Sequence, residues 1–588
     1  MTVEDPFAHL HEEGYASAYD RPLIGADSLV DPGGRPMDAL TDWGLTLDPF
    51  EEGLRQRWFA LDDRPMAEWT TPRDFDDAGA TPARAPCCWT MLDPEWRRHE
   101  GAVWHVTHFD HARGPHRTVL RFGAANYAAL VFLNGRFLGR HLGGSTPFCV
   151  ELTEALHEGR NRLMVMVENH RRSDRVPMGH IDWFNHGGLH REVALLRLPP
   201  VFIRAAGFAL TADGVGIAVD VTLSDPVDGV ARVAIPALGI HADLSVAAGA
   251  GRVEIAAAPD RWSPETPRLH DVAVSFGDDV FRERVGFRTL AVEGERILLN
   301  GRPIWLRGVC VHEDDRDVGR VSTEADVRRR FGHARALGCN FLRLAHYPHH
   351  EHVARIADEE GFLLWSEIPV YWAIDFANPA TFADAENQLR ELIARDRNRA
   401  SVALWGVGNE NADTDARLSF MSRLAAAARA ADPTRLIAAA CLIDRVRFAI
   451  ADRLAETLDV IGLNEYFGWY EPGFEGLERL LANSEPGKPV IVSETGADGA
   501  PGLRGTGLFT EHRQAEIVRR QIETLRRFDY VQGVAWWLLY DFRSDRRQTG
   551  VQRGFNRKGL VADDKATLKA GFHALAEAYA AIAGRKAD

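Results

Sequence analysis

The chain has 588 residues, more than one hydrophobic core organises, so several domains are expected. Its 45% apolar and 26% charged residues exclude disorder, and a formal charge of −15 makes phosphate backbones and anionic membrane surfaces poor partners. An anionic small substrate would need a locally basic site against that background. No run reaches the ~18 uninterrupted apolar residues of a membrane helix. The start, MTVEDPFAHL, is acidic where a secretory leader needs basic residues and an apolar core, so a cytoplasmic location is expected. Cys87, Cys88, Cys149, Cys310, Cys339 and Cys441 form no CxxC pair and are expected to be reduced, buried thiols.

The first stretch, 1–195 with its N-terminal extension, reads from about residue 30 as short, alternating, aromatic-rich strands. In YAALVFLNGRFLGRHLGG (127–144), Asn134-Gly135 sits between two apolar runs and supplies the positive φ angles of a tight hairpin. GRNRLMVMVENH (159–170) is another strand, entered through a turn at Gly159. Such strands predict a jelly-roll sandwich. Over 196–288 the alternation continues with fewer aromatics, as in GIAVDVTLS (216–224) and HDVAVSF (270–276), which predicts an immunoglobulin-like β-sandwich acting as a spacer.

From 289 to 588 short apolar strands alternate with amphipathic helices. The strands are expected at 304–309, 340–345, 362–367, 402–407, 435–440, 460–464, 489–494 and 533–539. A helix over 323–337 opens with Thr323 and Asp326 in capping-box spacing and sets Val327, Phe331, Ala334 and Leu337 on one face. Eight strand–helix repeats in this length predict a (β/α)8 TIM barrel.

In such a barrel the chemistry collects where strands end at the C-terminal face. VALWGVGNEN carries Asn409-Glu410 just past its strand, and PVIVSETG ends its strand at Glu494. Two facing carboxylates are what glycoside cleavage needs, one to protonate the leaving oxygen and one to attack the anomeric carbon. Glu367, ending FLLWSE, meets the same positional criterion, so position alone does not choose among the three.

Further motifs carry a resemblance. LNGRPIWLRGVCVHED (299–314), NFLRLAHYPHHEHVARIADEEGFLLWSE (340–367), WGVGNEN (405–411) and VIVSETG (490–496) together resemble the catalytic barrel of glycoside hydrolase family 2. NGRFLGRHLGGSTPF (134–148) is similar to that family's sugar-binding jelly roll, and WSPETPRLH (262–270) with RERVGFRTL (282–290) to the end of its immunoglobulin-like domain. The resemblance covers about 30–580 in the expected order. It implies a retaining glycosidase with Glu410 as acid/base, Glu494 as nucleophile and Asn409 on the sugar 2-hydroxyl. Glu367 then becomes a structural group. No cofactor is implied, and relatives of this kind are often homo-oligomers.

Within the family, FNRKGL (555–560) resembles the Asn-x-Lys motif of the β-glucuronidase branch, implying that Asn556 and Lys558 hold a C6 carboxylate. A desolvated carboxylate demands such a charge-assisted donor. Arg553 stands as a second cation, although its spacing to Asn556 is one residue shorter than the branch pattern. IDWFNHGGLHR (181–191) would send Asp182 across to sugar hydroxyls, LNEYFGWY (463–470) would supply Asn464, Tyr466 and Tyr470, and GVAWWLLYDF (533–542) would supply Trp537 as a sugar platform. His346, in AHYP, would reach a hydroxyl. Glu465 and Thr495 depart from the branch pattern, which often has a basic residue and a tyrosine there. The sequence leaves open a β-galacturonidase, a neutral-sugar β-galactosidase or β-mannosidase, and a carbohydrate-binding protein with an inactive barrel. IPVYWAIDFANPATF (368–382) runs to the next helix without a long lid, so the mouth is expected to be open.

Overall fold

The structure, a computed structural model, describes residues 23–61 and 75–584. The acidic N-terminal segment read above for a leader lies outside them. Two antiparallel sheets make the first sandwich, one of four strands (37–39, 193–198, 117–122 and 148–151) and one of six (81–84, 42–48, 102–111, 159–168, 128–133 and 136–142). Leu120, Phe122 and Phe148 on one sheet meet Val103, Val131 and Val165 on the other, all buried. The hairpin forms where expected: Ala128–Leu133 pairs with Arg136–Leu142 through Asn134 and Gly135, at φ 51° and 81°. Strands between Ile203 and Val285 form the second sandwich around its own core, which includes Val219, Val233 and Phe281.

The barrel is closed and parallel throughout. Its strands are β1 (Leu306–Val311), β2 (Phe341–Leu344), β3 (Leu363–Glu367), β4 (Val402–Asn409), β5 (Leu436–Cys441), β6 (Val460–Asn464), β7 (Val490–Glu494) and β8 (Val531–Trp536). β1 returns to pair with β8 at Leu306↔Gly533 and Val309↔Trp536. A small three-stranded sheet (290–293, 296–299 and 302–303) contributes Ile297 and Leu299 to the cluster that runs through the barrel interior. The helix after β1, Glu324–Ala336, has the expected reciprocal cap of Thr323 and Asp326, a feature that contributes about 1 kcal/mol. Val327, Phe331 and Leu337 are wholly buried, roughly 1.5–3 kcal/mol for each large side chain.

One crossover differs from the regular repeat. Between β5 and β6 the chain makes a single 3-10 turn, Arg453–Glu456, rather than an α-helix. Asp444 accepts from the backbone N–H of Val446 and Arg447, and Asp452 from that of Leu454. Asp452 thereby caps the 3-10 turn, and Asp444 holds the preceding residues in a local turn.

The sandwiches are docked on the barrel by buried polar contacts. Arg191 donates to Glu313 at 2.8 Å, and His141 meets Glu391 at 3.0 Å. Asn398 bridges to the second sandwich, accepting from Phe208 N and donating to Ala206 O. The loop between strands 159–168 and 193–198 of the first sandwich wedges Trp183 against Tyr371 and His346, with ring centroids 5.0 and 5.8 Å away. That wedge carries the neighbouring Asp182 to the C-terminal face of the barrel. Among the described residues no helix is long and apolar enough to cross a membrane. All six cysteines are unpaired and five are buried.

Candidate active site

A cavity of about 580 Å3 opens at the C-terminal face, and both Glu410 and Glu494 line it. Glu494 is the last residue of β7 and is 4% exposed. Arg343 Nη1 donates to its Oε1 at 2.7 Å and Tyr466 Oη to its Oε2 at 2.7 Å. Burial, with the like charge of Glu410, pushes Glu494 up to about 7, while Arg343 and Tyr466 oppose the rise. Two fixed donors thus leave each oxygen a remaining lone pair, and a carboxylate so held has little freedom to reorient.

Glu410 follows β4 at φ 50°, in the left-handed region, and its backbone N–H is tied to Ala440 O at 2.8 Å. This turn lifts its side chain over the barrel mouth. Asn464 Nδ2 donates to Oε1 at 3.1 Å and Trp372 Nε1 to Oε2 at 2.7 Å. Asn464 also donates to Asn409 Oδ1 at 3.2 Å, while its own Oδ1 accepts from Ser493 Oγ at 2.7 Å. One amide therefore registers β4, β6 and β7 against each other.

Beneath the carboxylates lies Arg343, fully buried on β2. It donates to both oxygens of Glu367, at 2.8 and 3.1 Å, and to Asn409 Oδ1 at 2.8 Å, besides Glu494. With Oδ1 so engaged, Asn409 Nδ2 is buried and has no partner among the described residues. A buried orphan donor is costly, about 1–3 kcal/mol, and a ligand oxygen would relieve it. His346 Nδ1 meets Glu367 Oε1 at 3.0 Å, and Nε2 faces Glu494 Oε1 at 3.7 Å. Burial and Arg343 hold this imidazole well below its usual range. Trp537 stacks on it at 5.0 Å. Glu367, with both oxygens held by Arg343 and His346, is a structural anchor.

The far wall is cationic. Lys558 is 1% exposed, and its Nζ donates to Tyr470 Oη at 2.8 Å and stands 3.7 Å from Asp498 Oδ2. Its backbone N–H donates to Asn556 Oδ1 at 3.1 Å, which fixes the two side chains relative to each other. Arg547 grips Asp182 with Nε and Nη2 and also donates to Tyr470 Oη at 3.2 Å. Asp182 accepts from Ser544 Oγ at 2.7 Å and is approached by Asn556 Nδ2 at 3.5 Å.

Residues 290–583 match the family described as glycosyl hydrolases family 2, TIM barrel domain, and residues 38–199 match its sugar binding domain. The chain belongs to glycoside hydrolase family 2. It is 29% identical to a β-glucuronidase of Paenibacillus borealis over 578 residues, covering 88% of this chain and 92% of that one. A solved β-glucuronidase from an uncultured Clostridium species superposes with a TM-score of 0.83 at 27% identity, covering 94% of this chain and 99% of that chain. The fold is also that of a family 2 β-galacturonidase from Eisenbergiella tayi, at a TM-score of 0.81 and 24% identity, covering 94% and 96% of the two chains.

Against this family 2 site, eleven of the twelve residues expected from sequence stand together; ten line the cavity (Asp182, His346, Glu410, Asn464, Tyr466, Tyr470, Glu494, Trp537, Asn556 and Lys558), and Asn409 lies just beneath. Arg553 does not join them: it is exposed, at φ 50°, with Nε donating to Gly550 O. The turn at Thr549–Gln552 carries it outward, and Arg547 is the guanidinium facing the cavity instead. Arg557, inside the Asn-x-Lys motif, points away to Asp541 and Asp563. Glu465 also borders the cavity, but its Oε2 is engaged, accepting from Phe467 N and Gln521 Nε2, and burial pushes it up to about 7. Sequence reasoning missed Arg343, Tyr371, Trp372, Arg546 and Arg547. An arginine inside the four-residue apolar strand Phe341–Leu344 was the one available signal among them.

One group among the described residues has metal-like spacing, Glu192, His350 and His352, and none of the three lines the cavity. Both imidazoles use Nδ1 as an acceptor, from His352 N and from Arg355. An Nε2-bound metal wants Nδ1 to be a donor, so this arrangement does not fit one.

Proposed function

We propose that this family 2 enzyme is a retaining exo-β-glucuronidase. The observation that carries the reading is Lys558: a cation buried to 1% exposure in a sugar-sized cavity, whose Nζ makes one short hydrogen bond among the described residues. Asp498 balances its charge from 3.7 Å, too far for a short hydrogen bond, so Nζ keeps spare donors that a uronate carboxylate would take. The β-glucuronidase relatives support the same choice.

On this reading the carboxylate docks against Lys558, Asn556 and Tyr470, and the sugar cleaved is a terminal one. Trp537 presents its face to the ring, and Asp182 and His346 Nε2 accept from hydroxyls. Glu494 attacks the anomeric carbon as Glu410 delivers its proton to the glycosidic oxygen; the alcohol leaves and a glycosyl ester remains. Glu410, now ionised, takes a proton from water, which displaces Glu494 and restores the β configuration. Asn409 Nδ2, the orphan donor, binds the 2-hydroxyl as positive charge develops at the neighbouring carbon. Reduced thiols fit a reducing, cytoplasmic compartment.

The test is turnover of 4-nitrophenyl β-glucuronide, β-galacturonide, β-galactoside and β-mannoside. The glucuronide is expected to give the highest kcat/KM, and a higher value for either neutral glycoside would overturn the reading.

A further inference from the structure

Beyond Glu410 lies the part of the cavity where the leaving group must sit, because the acid has to touch the glycosidic oxygen. Trp372 marks that side, since its Nε1 donates to Glu410 Oε2. Its face is not a free apolar platform: the Arg546 guanidinium lies over it, 4.6 Å from the ring centroid. The same guanidinium contacts His180 Nδ1 at 3.4 Å and has no carboxylate partner among the described residues. Arg445, from the loop after β5, lines the same mouth beside Leu442 and Ile443 and pairs at 2.9 Å with Glu471. Arg547, by contrast, is neutralised by Asp182. The mouth thus presents one uncompensated guanidinium, pre-positioned by an indole, in a chain of net charge −15.

We propose that this side of the cavity is a subsite for an acidic sugar, so that the substrate is an acidic oligosaccharide whose second unit carries a carboxylate beside Arg546. The proposal rests on the glucuronidase reading and on Glu410 as the acid. An open mouth suits such a substrate, as β3 ends at Glu367 and the next helix already begins at Pro379. A planar guanidinium is suited to a carboxylate through paired N–H donors.

The experiment compares two disaccharides with the same terminal β-glucuronate, one followed by a neutral hexose and one by a hexuronate. Wild-type enzyme is expected to favour the acidic disaccharide by about three- to fivefold in kcat/KM at low salt, the scale of a solvent-exposed ion pair. Arg546→Gln should bring that ratio close to one, Arg546→Lys should keep most of it, and raised ionic strength should erode it in the wild type. Equal rates on both disaccharides, or a ratio unmoved by Arg546→Gln, would overturn the subsite while leaving the glucuronidase reading intact. Failure to cut either disaccharide or 4-nitrophenyl β-glucuronide would instead sink the glucuronidase reading, and the subsite with it.

Discussion

Replacing Lys558 by methionine keeps most of the side-chain volume and removes the charge, which isolates its part in choosing the substrate. In the wild type Nζ sits between Tyr470 Oη at 2.8 Å and Asp498 Oδ2 at 3.7 Å. Truncating one member of a buried, hydrogen-bonded charge pair costs about 2–5 kcal/mol. Here the upper part of that range applies for two reasons. Arg547 is already committed to Asp182, so it replaces Lys558 poorly. Asp498, itself 1% exposed, would face the substrate carboxylate with no cation between them. A loss of about 3–5 kcal/mol corresponds to roughly 200- to 5000-fold in kcat/KM for a β-glucuronide. The slow reaction on the matching β-glucoside, which has no carboxylate, should change by less than about threefold. Steady-state kinetics on that substrate pair, with circular dichroism to confirm folding, is the assay. Equal proportional losses on both substrates would refute the reasoning, because Lys558 would then be supporting the site rather than reading the acid.

Tyr466→Phe removes one of the two donors that oppose the burial-driven rise of Glu494, which stands at about 7 with both in place. Glu494 must be ionised to attack, so activity is lost as pH falls through its pKa; the acid limb of kcat/KM should move to higher pH by about 0.5–1 unit, and an unmoved limb would contradict the assignment. Arg547→Ala should cost about 10- to 100-fold on glucuronides because it also frees Asp182, whereas Arg553→Ala should stay within about twofold; the reverse order would restore Arg553 to the site. Glu410→Ala should slow substrates with poor leaving groups by about 100-fold or more and activated aryl glucuronides far less, with added azide restoring part of the rate; equal losses on both would show that Glu410 is not the acid.

Much of the centre was legible because barrel strands are buried on both faces. A carboxylate that ends an apolar run such as VALWGVGNE or PVIVSE has the C-terminal mouth as its natural destination. The Thr323–Asp326 cap and the Asn134-Gly135 hairpin were legible for a similar reason, since each is settled by its own few residues. The substrate end was harder. The loop after β8 holds Arg543, Arg546, Arg547, Arg553 and Arg557 with no periodicity to sort them, and only the turn at Thr549–Gln552 decides which guanidinium faces inward. Asn464 was expected on the sugar, but hydrogen bonds to Asn409 and Glu410 make it a brace as well. Trp372 lies in a loop whose path depends on Trp183 arriving from another domain, packed on the adjacent Tyr371, and no local pattern encodes that contact.

The account stands most directly on which carboxylate bonds to the sugar. Brief incubation with a 2-deoxy-2-fluoro-β-glucuronosyl fluoride, acid quenching and peptide mass mapping should find the glycosyl ester on Glu494, within the peptide containing VIVSETG. A label on Glu367 or Glu465, or time-dependent inactivation with no covalent adduct, would contradict it.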